Sequence, residues 1–377
     1  MNIGIVCYPT YGGSGVVATE LGKYLADKGH QLHFLSYEQP ARLDYFSNNV
    51  FYHEVSVNEY PLFRYPPYEL ALTSKMVDLV LSTDIDLLHV HYAIPHAAAA
   101  VMAKHILRSK NTDVPVITTL HGTDITLVGR DSTYTPVVNY ALDNSDGITA
   151  VSNSLKKDTY THFDVNNDIE VIPNFVDFSR FSKQPKEHFK KAIAPNGERI
   201  VIHTSNFRKV KRVEDVIAVF AQINKAIPSR LLLIGDGPER FRMEEICRDL
   251  DISESVSFLG KQEAVEEVLS VGDLFLLPSE TESFGLAALE AMACEVPVVA
   301  SNTGGIPEVI PEGLVGFTCD VGDVDTMAKR GIEILSDPKE LERYKQEAKK
   351  HARSYDIEVI GPMYVKFYEK IVSNFNR

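Results

Sequence analysis

Two carboxylates, Glu282 and Glu290, bracket the run S-F-G-L-A-A-L directly after the apolar segment LFLLPS. A helix starting near Phe284 would set them roughly 12 Å apart along its axis, at about 1.5 Å per residue. It would also leave the amides of Phe284, Gly285 and Leu286 without intrahelical acceptors, a ready site for a phosphate. In that arrangement one carboxylate faces a sugar, the other accepts hydrogen bonds from ribose hydroxyls, and a diphosphate lies between them. The spacing therefore suits an extended nucleotide-sugar. The competing reading is a helix capped by Glu282 with Glu290 in solvent, and spacing alone does not separate the two.

A second group is Arg208-Lys209-Val210-Lys211-Arg212, placed after the apolar run RIVIHTSNF and before a helical pattern. The carboxyl end of a strand is where open α/β sheets bind ligands, and cations there can neutralise a departing diphosphate. A solvated basic patch is the plainer alternative. Gly12-Gly13-Ser14-Gly15, between a strand and a helix, lets backbone amides approach a phosphate, although its spacing is not G-x-G-x-x-G and a purely structural turn remains open.

His121 stands at a strand end before Gly122, a position where functional residues gather. His89 and His91 alternate with apolar residues on one strand and so point the same way. With no third ligand in register, core or supporting roles outrank zinc. Asp84-Ile85-Asp86 precedes the buried run LLHVHY and reads as a helix end and strand entry. No motif here requires a divalent metal or another cofactor.

These residues need elements to hold them. IGIVCY, QLHFLSY, LLHVHY, VPVITTLHG and GITAVS alternate with helical patterns, as in VVATELGKYLADKG, where Val17, Leu21 and Leu25 share a face and Gly29 ends the helix. Strands separated by helices imply an α/β fold with a parallel, doubly wound sheet. Apolar periodicity weakens over RFSKQPKEHFKKAIAPNGE, the expected linker. VIHTSN, LLLIGD, VSFLG, LFLLPS and PVVAS then build a second such sheet. Ile360, Tyr364, Phe367 and Ile371 form one stripe of a terminal helix. Two domains are expected: residues 1–180, joined by a terminal helix over 356–377, and residues 181–355, with room for a deep cleft between them.

The chain has 377 residues, enough for two cores at about 150 residues per domain. With 38 basic and 52 acidic residues its net charge is -14, which disfavours nucleic acid and anionic membranes as partners. No apolar run is long enough for a membrane anchor, and the start MNIGIVCYPTYGG lacks a leader pattern, so a cytoplasmic protein is expected. The four cysteines, Cys7, Cys247, Cys294 and Cys319, have no C-x-x-C spacing and read as reduced thiols, with Cys7 in the core. Oligomerisation is left open.

E-S-F-G-L-A-A-L-E matches the E-x7-E motif of the retaining GT-B glycosyltransferases of family four, two Rossmann-like domains facing a cleft. S-N-F-R-K-V-K-R, the turn Gly235–Pro238, G-G-I-P-E at Gly304–Glu308 and the amino-terminal G-G-S-G support the resemblance over nearly the whole chain. C-Y-P-T-Y-G-G-S-G, R-Y-P-P-Y-E-L, H-V-H-Y-A-I-P-H and T-T-L-H-G-T-D-I resemble most the members that act in bacillithiol biosynthesis. The resemblance implies small-molecule substrates, UDP-N-acetylglucosamine and L-malate. Other sugar donors with a lipid or polysaccharide acceptor, a sugar-nucleotide epimerase, and a non-catalytic binding module are the rivals.

Carried over residue by residue, the resemblance gives Arg208 and Lys211 the donor diphosphate, aided by Gly13, Asn206 and the amides of Ser283, Phe284, Gly285 and Leu286. Glu290 holds the ribose, Glu282 lies against the transferred sugar, His121 sits near the reacting carbon, and Phe258 and Leu259 border the uracil. The two carboxylates of malate call for a cation and hydroxyl donors. Arg64, Ser14, Tyr92 and Thr119 are the candidates for that acceptor.

Overall fold

The computed structural model describes residues 1–10, 12–43, 47–57, 62, 64–126, 131–184 and 186–375. The chain divides into two compact units, Met1–Asn174 together with the segment from Ile357 onward, and Phe175–Asp356.

The first unit carries β1 (Asn2–Val6), β2 (Gln31–Ser36), β3 (Val50–Glu54), β4 (Leu87–His91), β5 (Val116–Leu120), β6 (Gly147–Ala150) and β7 (Ile169–Val171). All neighbours are parallel, in the order β3-β2-β1-β4-β5-β6-β7. The central strands β4 and β5 are buried throughout, as continuous apolar runs covered on both faces must be. The helix Ser14–Asp27 buries Val17, Leu21 and Leu25 and ends where Gly29, at φ 89°, donates its N–H to Ala26 O at 2.9 Å.

The terminal helix Ile357–Phe375 docks on this unit through Ile360, Tyr364, Phe367 and Ile371. Glycines make the close approach feasible. A Cβ on Gly147 would lie 2.9 Å from the Phe367 ring, and one on Gly361 only 2.3 Å from the Tyr24 ring.

The second unit repeats the plan with β8 (Arg199–Thr204), β9 (Ser229–Ile234), β10 (Val256–Gly260), β11 (Leu274–Leu277), β12 (Val298–Ser301) and β13 (Gly316–Cys319), parallel in the order β10-β9-β8-β11-β12-β13. Phe207, Phe220, Ile223, Leu231 and Leu233 belong to its core. In both units the order reverses beside the first strand, at β1/β4 and at β8/β11, which is where a doubly wound sheet opens a crevice for ligands.

The division falls earlier than expected. Residues 175–180, read from sequence as part of the first domain, pack with the second. Val176 N–H donates to Tyr355 O at 2.9 Å, and the Arg180 guanidinium meets Glu266 at 3.0 Å. The expected linker contains a helix, Glu187–Ile193, from which Lys190 reaches Asp273 at 3.6 Å.

Candidate active site

At the β8/β11 switch point two loops emerge side by side and are tied together. Glu280 N–H donates to Val210 O at 2.8 Å, and Lys211 Nζ donates to Glu282 Oε2 at 2.7 Å. Ser279 Oγ lies 3.3 Å from the same carboxylate oxygen. Phe207, fully buried with φ 39°, pins the first loop into the core. His203 Nδ1 donates to Leu276 O on β11 at 2.9 Å, so its Nε2 accepts from Ser205 Oγ at 2.8 Å, and burial pushes this imidazole down to about 4. Ser205 Oγ in turn lies 3.3 Å from Phe207 N, whose N–H it accepts.

Glycine backbones clamp these loops from outside. A Cβ on Gly235 would stand 1.8 Å from Ser205 O, and one on Gly237 2.0 Å from Asn206 O. On the other loop the corresponding distances are 1.9 Å from Gly304 to Glu282 O and 2.2 Å from Gly305 to Ser283 O, and Gly305 N–H donates to Glu282 O at 2.9 Å. The G-D-G-P and G-G-I-P-E motifs therefore hold the backbone that carries Asn206, Arg208, Lys211 and Glu282.

The helix after β11 begins later than the sequence suggested. It spans Leu286–Ala293, with Gly285 before it in the left-handed region at φ 97°. Glu282 is thus not on the helix, and the expected separation along a shared axis does not apply. The amides of Ala288 and Leu289 already donate to Gly285 O, so those left to a ligand within the first turn are Leu286 and Ala287. Phe284 turns inward and is buried, while Ser283 and Glu290 are half-buried.

The structure also sorts the basic cluster. Arg212 spends its guanidinium on Asp215 at 2.6 Å, Arg208 is exposed, and Lys211 stands in the pair with Glu282. An ammonium fixed beside a carboxylate, next to the opening turn of a helix, can stabilise charge that grows on a leaving oxygen. Phe258 and Leu259 lie on β10, with β9 between them and β8. Arg240 sits 5.7 Å over the Phe258 ring, and Leu259 O accepts from Gln262 Nε2 at 2.6 Å.

The β1/β4 switch point of the first unit is largely buried and lined by neutral imidazoles. Gly13, at φ 61°, precedes the helix, and Ser14 Oγ donates to Tyr92 Oη at 2.9 Å. Tyr92 holds φ 86°, a strained value for a side-chain residue, and its ring centroid lies 5.3 Å from that of His121. His121 Nε2 is 2.8 Å from His91 Nδ1, and the two rings stack at 5.0 Å. His89 bridges Thr119 Oγ1 and Tyr368 Oη, each at 2.7 Å. Burial pushes His89 and His121 down to about 3 and His96 to about 4.

Asp124 is buried here and accepts the N–H groups of Ala93 and Gly122 at 2.9 Å. Desolvation outweighs these bonds and lifts its carboxyl to about 6. Sequence reading missed this carboxylate, as it missed His203, Ser205 and Ser279. The signal available for them was polar residues at strand ends, which is visible only once the strands are placed.

The other two acceptor candidates, Thr119 and Arg64, differ in their surroundings. Thr119 is fully buried, bonded to His89 and at 2.7 Å to Thr149 Oγ1, because its place in β5 turns it into the sheet's packed face. Arg64 is exposed with its guanidinium 5.4 Å from the Tyr65 ring, and no hydrogen bond or ion pair ties it to Ser14 or Tyr92 among the described residues. All four cysteines are buried and free, with the Cys7 thiol pushed up to about 12. Asp86 accepts Asn2 N–H at 2.7 Å at the strand entry. Among the described residues no cluster of three or more His, Cys, Asp or Glu is arranged for a metal, and no helix is long and apolar enough to cross a membrane.

Residues 11–180 match the family model Glycosyltransferase Family 4, and residues 184–351 match Glycosyl transferases group 1. The N-acetyl-alpha-D-glucosaminyl L-malate synthase of Bacillus anthracis is 47% identical over 91% of this chain and 89% of its own length. An uncharacterised glycosyltransferase of Methanocaldococcus jannaschii is 25% identical over 97% of both chains. Among solved structures, Anabaena HepE in complex with UDP and glucose superposes with a TM-score of 0.82 at 19% identity, over 98% of this chain and all of that one (100%). Sucrose-phosphate synthase from Thermosynechococcus elongatus does so with 0.81 at 21%, over 99% and 100%. Both share the fold of paired Rossmann-like units. Taken with the matched sequence, they establish that this chain is a glycosyltransferase and belongs to glycosyltransferase family 4.

Proposed function

We propose that the chain transfers N-acetylglucosamine from UDP-N-acetylglucosamine to the hydroxyl of L-malate with retention of configuration. The observation that carries this reading is the Lys211–Glu282 pair at the β8/β11 switch point, in a chain 47% identical to an L-malate synthase over nine-tenths of its length. Arg208 and Lys211 neutralise the diphosphate, helped by the amides at the start of Leu286–Ala293. Glu290 takes the ribose hydroxyls, and Phe258 and Leu259 border the uracil. Ser14 and Tyr92 offer hydroxyls to malate, with Arg64 its charge partner, and His121 stands beside the sugar.

Retention follows from attack on the face that the leaving group departs. The malate hydroxyl oxygen bonds to the anomeric carbon as the bond from that carbon to the phosphate oxygen breaks. The hydroxyl proton passes to an oxygen of the departing UDP. No covalent sugar–enzyme intermediate is needed, and rate comes from positioning and from cations on the leaving group. On this reading the two cations take the part a divalent ion plays in other transferases, and turnover withstands EDTA.

The test is to incubate the purified protein with UDP-N-acetylglucosamine with and without L-malate, following UDP release, product mass and the anomeric proton coupling. Malate-dependent release of UDP with an α-linked product is expected. Release that ignores malate, or an epimerised sugar nucleotide, would reject the proposal.

A further inference from the structure

The histidines at the β1/β4 switch point leave one question of chemistry open, namely which nitrogen of His121 carries its proton. His121 Nε2 and His91 Nδ1 are 2.8 Å apart, so one proton lies between them. His91 is fully buried, and its other nitrogen, Nε2, has no hydrogen-bond partner among the described residues. A neutral imidazole has one N–H. Were it on Nε2 of His91, an N–H would be buried unpaired, the rarer and costlier kind of orphan. Placed on Nδ1, it is used in the bond to His121, and only a lone pair stays unfilled.

We infer that His91 is a positioning residue: its Nδ1–H donates to His121 Nε2 and thereby fixes His121 as the tautomer protonated at Nδ1. This rests on the reading that places His121 beside the sugar. The surroundings agree with it. The ring of His121 is held between His91, stacked at 5.0 Å, and Tyr92 at 5.3 Å, so it has little freedom to turn over. His96 Nδ1 bonds to His91 O and so fixes the backbone of the donor itself. Burial keeps His91, His96 and His121 neutral at physiological pH.

The consequence is a defined chemical task. His121 presents an N–H and not a lone pair through Nδ1, so it donates a hydrogen bond to a sugar or phosphate oxygen and does not take the acceptor's proton. That division of labour leaves the proton to the departing phosphate. The bond also explains why the strand alternates histidines: His89 and His91 share a face of β4, but His89 is committed to Thr119 and Tyr368, and His91 alone reaches His121.

The experiment combines nitrogen-15 spectra of the histidine rings with kinetics on the intact protein, supplied with UDP-N-acetylglucosamine and L-malate. In the parent the His121 signals are expected to report protonation at Nδ1. His91→Leu should move them towards the other tautomer and lower kcat about 10- to 100-fold, with the donor KM little changed. His91→Asn, whose amide can still donate from the place of Nδ1, should restore most of that loss. A parent spectrum showing protonation at Nε2, or a His91→Leu enzyme with parental kcat, overturns the inference. His121→Ala separates it from the reading beneath: full activity there, with the Nδ1 tautomer present in the parent, would remove His121 from the reaction while leaving the His91 bond as assigned. Should His91→Leu fail to fold, the parent spectrum and His91→Asn still decide.

Discussion

The two units share one topology and use it oppositely. Each sheet reverses its order beside its first strand, but the β8/β11 switch point carries a half-buried Lys211–Glu282 pair and an exposed Arg208, whereas β1/β4 gathers buried His89, His91 and His96 with half-buried His121, all of them neutral. Fixed charge beside water suits the capture of an anion and the stabilisation of a leaving group. Neutral rings in a desolvated pocket cannot exchange charge at physiological pH, and so act by shape and by directed hydrogen bonds. A doubly wound sheet thus specifies where a site lies, while the side chains at the strand ends decide its chemistry.

The sharpest way to break this contrast is to remove the charge. Lys211→Ala should lower kcat about 10²- to 10³-fold, the loss typical of one donor to a developing oxyanion. Its effect on stability should be small, because the pair is partly solvated and such pairs contribute about 1 kcal/mol or less. Initial rates of UDP release beside thermal melts check both halves. Parental turnover would mean that charge at β8/β11 is not used in the reaction.

A second contrast lies in the glycine turns. Gly304→Ala would force a Cβ to within 1.9 Å of Glu282 O at a left-handed φ of 56°, whereas a Cβ on Gly12 meets nothing within 4 Å. Gly304→Ala is therefore expected to cost about 1–3 kcal/mol and to displace Glu282, depressing turnover as well. Gly12→Ala should leave the melting temperature almost unchanged. Equal melts for the two would show that the second unit's loops are not clamped as the contacts imply.

Much of this was legible in the sequence. The central strands were continuous apolar runs, and the terminal stripe Ile360, Tyr364, Phe367 and Ile371 was read correctly as a docking helix. The strands that escaped notice, β3, β7 and β13, are the ends of their sheets or next to nothing beyond: VFYHE is half-exposed, IEV has three residues, and GFTC four. A strand of three or four residues, or one with polar residues among its apolar ones, leaves no long apolar run to read. The helix start was misplaced for a different reason. Gly285 turns left-handed in a loop pressed by Gly304 and Gly305, contacts that lie outside any local window. Thr119 was an acceptor candidate, but its hydroxyl is taken up by His89 and Thr149, partners on neighbouring strands that no local window shows.

The neutral cluster can be probed through pH. Burial depresses the folded values of His89 and His121 to about 3, of His96 and His203 to about 4, and of His91 well below the ordinary range, against 6.5 when unfolded. The unfolded chain therefore binds more protons as pH falls below 6.5, and stability is lost from there towards pH 4. Asp124 works in the opposite sense. Its folded value is raised to about 6 from 3.8, so its contribution is lost as pH rises through that window. One carboxyl against five imidazoles leaves the net direction unchanged. Melts from pH 7 to pH 5 should show a falling transition temperature, and kcat should show no inflection from His121 between about pH 5.5 and 8. A flat melting profile would mean that these rings are hydrated and that burial does not keep them neutral.

The smallest effect expected is at Tyr368→Phe. Its hydroxyl and His89 Nδ1 are 2.7 Å apart, and the ring is fully buried in the terminal helix. The exchange keeps the packing and removes one buried hydrogen bond, which should cost about 1 kcal/mol. Because His89 bonds to Thr119 and Tyr368 and not to His121, kcat should stay near parental. A large fall in kcat at unchanged stability would show that the terminal helix reaches the reaction through His89, and that the two histidines of β4 act as one unit and not as separate supports.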